Sequence, residues 1–140
     1  MNSNVRRVLT AAALQSAYHD GERNFRQMQL TGVIARLDLT PVDFTDAHLQ
    51  NVTFEDVTLQ QINFEGVVFE TVTFRRVTLM AGNFANACCQ ALQFESSAIR
   101  AANFDELTFK RNDLQWQHVT LDETSFVTTR TYALTKSPKP

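Results

Sequence analysis

Glycine and proline are scarce in this chain, at four and three in 140 residues. Gly21, Gly32, Gly66 and Gly82 are too scattered to build a loop that cradles phosphate. Cysteine is scarcer still. Cys88 and Cys89 are adjacent, and two neighbours cannot form a disulfide framework. That usage reads as a reducing interior, so a cytoplasmic location is expected. No Cys-x-x-Cys or His-x-x-x-His pair offers metal-ligand spacing, so no metal, cofactor-binding or catalytic residue is assigned and no cofactor is expected. No Ser-His-Asp constellation can be assembled. No apolar run reaches about 18 residues, which excludes a spanning helix as an expectation. Charge of one sign is also missing: 13 bases stand against 15 acids. A nucleic-acid binder carries a basic stripe, and none is present.

What the chain has is a period of five. Ile34, Leu39, Phe44, Leu49, Phe54, Leu59, Phe64, Phe69, Phe74, Leu79, Phe84, Cys89, Phe94, Ile99, Phe104, Phe109, Leu114 and Val119 follow one another at fixed spacing. Neither the helical period of 3.6 nor the strand period of 2 produces this. A fixed repeat marks a solenoid or array. Two places earlier in most pentads stands a second apolar or small residue, as at Val42, Ala47, Val52, Val57, Ile62 and Val67. Asp43, Asn63, Asn83 and Asn103 each precede a Phe, where they can bond nearby backbone at a turn.

Val42-Asp43-Phe44-Thr45-Asp46, Ile62-Asn63-Phe64-Glu65-Gly66 and Ala102-Asn103-Phe104-Asp105-Glu106 carry the pattern best. In these residues the chain resembles the pentapeptide-repeat family, although bulky Val, Ile or Leu stands at many places where that family has Ala. The resemblance implies a mainly β fold, a right-handed, four-sided β-helix with one pentad per side and 20 residues per coil. The frame then accounts for four to five coils, stacked at ~4.7–4.9 Å. A repeat rod without a cleft or convergent polar groups lacks what a small-molecule site needs, so no enzyme is expected.

One domain is expected over residues 1–140. Residues 3–19 read as an amphipathic capping helix, with Val5, Val8, Leu9 and Ala12 on its apolar side and Ser3 or Asn4 as N-cap. Residues 20–33 read as a transition or irregular first coil, since Phe25 and Leu30 lie one place out of frame with Ile34. Residues 34–120 form the coils, and residues 121–140 a C-terminal cap and frayed tail.

Residues twenty apart should stack, so each side of the rod can be read. The side of Leu39, Leu59, Leu79, Ile99 and Val119 is nearly neutral, and Met80, Ala81, Ala98, Ala101 and Leu121 form its candidate partner patch. The side of Phe44, Phe64, Phe84 and Phe104 carries Asp43, Asp46, Glu65, Asp105 and Glu106 with no base in the frame. His48 and His118 fall on opposite sides, and Trp116 points outward. Residues 31–123 hold six bases and 13 acids, while both ends are basic. Two functions follow as expectations. The first is a non-catalytic protein-interaction or scaffold module with a protein partner, either foreign or a second copy in a homodimer. The alternative follows from the resemblance: some quinolone-resistance members of the family act on DNA gyrase as acidic DNA mimics, which would place activity on the acidic side.

Overall fold

A computed structural model describes residues 6–110, 112–127 and 130–132. The chain winds as a parallel β-solenoid of about six turns. One long sheet of eight strands wraps two adjacent sides, a five-stranded sheet forms the third, and a short pair extended by single bridges forms the fourth. The strands His48–Glu55, Val68–Arg75 and Cys88–Glu95 each run through a corner and pair in parallel. Leu49, Phe69 and Cys89 are in register, as are Phe54, Phe74 and Phe94. The 20-residue coil is therefore as the pentad frame requires.

Local chemistry makes the corners. In nearly every pentad the residue two places after the central one adopts the left-handed region, with φ from 49° to 75° at seventeen non-glycine positions. This conformation turns the strand before the next side begins. Gly66 takes such a corner without cost, whereas Thr71 takes one at φ 57° despite its branched Cβ. Pro41 holds the equivalent place after Leu39; its ring fixes φ near −65°, and this corner is not left-handed.

Inward residues fill the rod. Phe44, Phe54, Phe64, Phe69, Phe74, Phe84, Phe94 and Phe104 are fully buried. Their rings stack along each column at coil spacing, for instance Phe54 on Phe74 at 4.8 Å and Phe84 on Phe104 at 4.5 Å. Edge-on contacts join neighbouring columns, as between Phe74 and Phe84 at 6.3 Å. Stacked and edge-on pairs both suit the ring quadrupole. The Asn/Asp column acts as read from sequence. Asp43, Asn63, Asn83 and Asn103 each accept the backbone N–H two residues on, at 2.8–2.9 Å.

Three departures from the frame follow from local insertions and caps. The helix spans Ala11–His19, not 3–19, because Thr10 is its N-cap and accepts from the Ala13 N–H at 3.1 Å. Residues 8–10 form a strand instead, paired with Gln29, Leu30 and Thr31. Val8 is 67% exposed, so it is not on a capping face, and Leu14 covers the core in its place. Val5, Ser3 and Asn4 lie outside the described residues. The first coil is out of step with the rest: its ladder to the next coil slips by one residue between Leu30 and Gly32. Gly32 sits at φ 120°, where an added Cβ would lie 3.0 Å from the Cβ of Ala11. The third departure is at the other end. Leu92, Phe94 and Ile99 pair with Leu114, Trp116 and Leu121, a spacing of 22. Two extra residues near Asn112 thus shift everything that follows.

That shift carries the solenoid beyond the frame. Trp116 is not outward; it stacks on Phe94 at 4.9 Å and 10°. Phe126 stacks on Phe104 at 5.1 Å and meets Trp116 edge-on. Arg130–Tyr132 pairs with Thr108–Lys110. The expected tail at Ser137–Pro140 lies outside the described residues. The two ends thus add irregular coils to the four to five that the frame counts. Among the described residues no helix is long and apolar enough to cross a membrane.

Candidate interaction surfaces

With the core closed, function must reside on the outward rows. The five-stranded sheet carries the neutral side. Met80 there is 39% exposed, and Ala81, Ala98 and Ala101 are exposed beside it. Ala81 and Ala101 are left-handed corners at φ 57° and 54°. Leu121 does not join them. Paired with Ile99, it becomes a central residue packed against the core. The C-terminal end of this side is charged instead, since Arg100 lies 3.9 Å from Asp122 and 3.5 Å from Glu123.

The acidic side is less uniform than its sequence. Asp43 spends one carboxylate oxygen on Thr45 N–H at 2.9 Å and on the Thr45 hydroxyl, and its other oxygen lies 3.8 Å from Arg26. Asp105 accepts from the Ser125 hydroxyl and from Val127 N–H at 2.6 Å, which ties down the last coil. Arg6 donates to the Asp46 carbonyl at 3.1 Å. Arg26 therefore stands on a side that the frame shows without a base. The frame hides it because the first coil is one residue out of step.

The side of Ile34, Phe54, Phe74, Phe94 and Trp116 holds the densest ion pairs. Arg76 bonds Glu55 and, at 2.8 Å, Asp56, and Arg75 bonds Glu95 at 3.0 Å. The hydrogen bond from Arg76, with its charge and that of Arg36, holds the Asp56 carboxyl below its ordinary value. Arg76 is raised in turn, first by its hydrogen bond to Asp56. On the remaining side His48 Nε2 lies 2.8 Å from Glu70. His118 falls at a corner beyond Trp116, three coils from His48, so the two share no site.

Little here suggests chemistry. Burial pushes the Cys89 thiol up, and Cys88 is half-buried; both are free. Two shallow hollows, of about 130 Å³ beside Thr71 and Gln93 and about 280 Å³ beside Val8 and Gln50, have no charged residue among the described residues of their walls. Among the described residues no group of three or more His, Cys, Asp or Glu could hold a metal.

A capped rod of pentad-built coils defines a β-solenoid repeat protein. Residues 35–76 match the family model of pentapeptide repeats in eight copies. Three similar solved structures show the range. One is a pentapeptide repeat protein, Rfr23, from the cyanobacterium Cyanothece 51142, at 18% identity over 81% of this chain and 99% of that one, TM-score 0.47. Another is QnrB1, a plasmid-mediated fluoroquinolone resistance protein, at 10% identity over 71% of this chain and 70% of that one, TM-score 0.26. HetL, a pentapeptide repeat protein involved in heterocyst differentiation regulation from the cyanobacterium Nostoc, is 7% identical over 83% of this chain and 94% of that one, TM-score 0.24. No curated protein matches the chain.

Proposed function

We propose that this protein is a non-catalytic, cytoplasmic interaction module that binds a protein partner through the side of Met80, Ala81, Ala98 and Ala101. The carrying observation is Met80, a large apolar side chain 39% exposed in the middle of the rod, with small exposed alanines around it. A solenoid presents such rows to partners as extended flat or concave surfaces. Five strands at ~4.8 Å make a strip ~20 Å long. Met80→Glu should abolish capture of the partner, while raising salt should matter little. Retention of the partner by Met80→Glu protein of unchanged stability would refute this reading.

The alternative, a DNA mimic acting on an enzyme such as gyrase, draws support only from the acidic side. DNA carries one charge per ~1.7 Å of axis, and here Asp43 and Asp105 are engaged within the chain while Arg26 adds a base. No inhibition of gyrase supercoiling is expected at micromolar protein. Inhibition that vanishes with Asp46→Lys and Glu65→Lys would promote the mimic.

A further inference from the structure

The side with the ion pairs is banded. Going from coil to coil, its outward rows read Arg36, then Glu55 with Asp56, then Arg75 with Arg76, then Glu95 with Ser96. The bands alternate in sign across flat, parallel strands. Glu55, Arg75 and Glu95 stand in one row, and Arg36, Asp56, Arg76 and Ser96 in the next.

We propose that this banded side is a self-recognition surface that binds a second copy of the chain about a two-fold axis lying along the strands, midway between Phe54 and Phe74. Rotation about that axis reverses the rod but keeps each residue's row. Glu55 then opposes Arg75 of the second copy, and Asp56 opposes Arg76. Arg36 meets Ser96 next to Glu95. By the same operation each contact occurs twice, as an isologous interface demands.

The register is selected by charge. Moving the axis by half a coil, onto the Phe54 or the Phe74 strand, sets like bands against each other. Such juxtaposition is costly and suppresses wrong pairings. The bands are already paired within one copy, but a guanidinium has five N–H donors and can serve two carboxylates. Val33, 56% exposed at the end of this side, is covered by the same docking. The strip is small. Four overlapping strands give ~15 Å by ~10 Å, well under the ~800 Å² per partner of a standard interface. The dimer is accordingly weak, reversible and governed by charge. This surface is separate from the Met80 side, so the two proposals stand or fall independently.

Sedimentation equilibrium tests it. At roughly millimolar protein the mean mass should rise toward the dimer in ~10 mM salt, where screening reaches only beyond ~30 Å, and return to the monomer in ~1 M salt, where the length is ~3 Å. Arg75→Glu/Arg76→Glu and Glu55→Arg/Asp56→Arg should each be monomeric alone, and their equimolar mixture should dimerise. If either variant unfolds by circular dichroism, Arg75→Gln/Arg76→Gln replaces it and should lose the wild-type association. A wild-type monomer at both salts, association that strengthens with salt, or folded charge variants that fail to pair when mixed would overturn the proposal.

Discussion

Thr71 is the residue on which the backbone and the sequence disagree most. It occupies a left-handed corner at φ 57° with an exposed, branched side chain. For an L-residue that conformation costs ~1–2 kcal/mol, and Asn tolerates it better than Thr. Thr71→Asn should therefore stabilise the protein by about 0.5–1 kcal/mol, read as a higher midpoint in denaturant at unchanged slope. An unchanged or lower midpoint would show that the corner is unstrained. Burial sets the opposite extreme. Phe84 is fully buried and stacked between Phe64 and Phe104, so Phe84→Ala should cost ~3–5 kcal/mol. Glu70 is part-exposed and paired with His48, and Glu70→Ala should cost ~0–1 kcal/mol. Equal losses in one titration would contradict the inward assignment of Phe84.

At the scale of elements, the N-terminal helix matters most. A solenoid end leaves strand edges and core uncovered. Two residues of the helix solve both problems. Leu14 is fully buried over the first coil. The Tyr18 hydroxyl accepts from Thr40 N–H at 3.1 Å and donates to Thr40 C=O at 3.2 Å, standing in for a missing strand beside Asp38–Leu39. Arg7 forks onto Glu22 and braces the same end. Leu14→Asp should expose the end and cause aggregation, detectable by light scattering, while Val8→Ala, at a 67% exposed position, should leave the protein monodisperse. Tyr18→Phe should cost ~1–2 kcal/mol by leaving a strand edge unpaired. The pairs also set an acid limit. Glu22 and Asp56 are held below their ordinary values by Arg7 and Arg76, so their contribution is full above the unfolded carboxylate range and lost as pH falls through the depressed values. Arg76→Gln should make the acid side of the stability profile shallower.

Across the whole molecule each coil touches only its neighbours, so stability sums along the rod and ends open before the middle. Backbone amides of Phe64, Phe74 and Phe84 should exchange with solvent most slowly, and those of Leu9 and Phe126 fastest. Uniform protection along the rod would mean that the coils unfold as one unit. Four flat sides diverge from a common core, so polar groups on different sides cannot converge.

How far the sequence alone reached depends on where the period of five holds. From Ile34 to Phe109 the inward set, the parallel stacking and the turn-capping role of Asp43, Asn63, Asn83 and Asn103 were all legible, because a narrow core admits only apolar residues at each repeated central place. The candidate surfaces were only half legible. Met80, Ala81, Ala98 and Ala101 lie outward as the frame has them, but Leu121 and Trp116 turned inward and Arg26 joined the acidic side. The slip at Leu30 and Gly32 was marked by Phe25 and Leu30 lying out of frame, but the two extra residues near Asn112 are visible only once each strand has chosen its neighbour. Backbone pairing and stacking energy between coils make that choice, and both act between residues about twenty apart. The repeat therefore determined the architecture and the core of this protein by itself. Tertiary structure decided the phase of each end, the Thr10-capped helix and the bands of Glu55, Arg75 and Glu95, because these depend on which coil lies next to which.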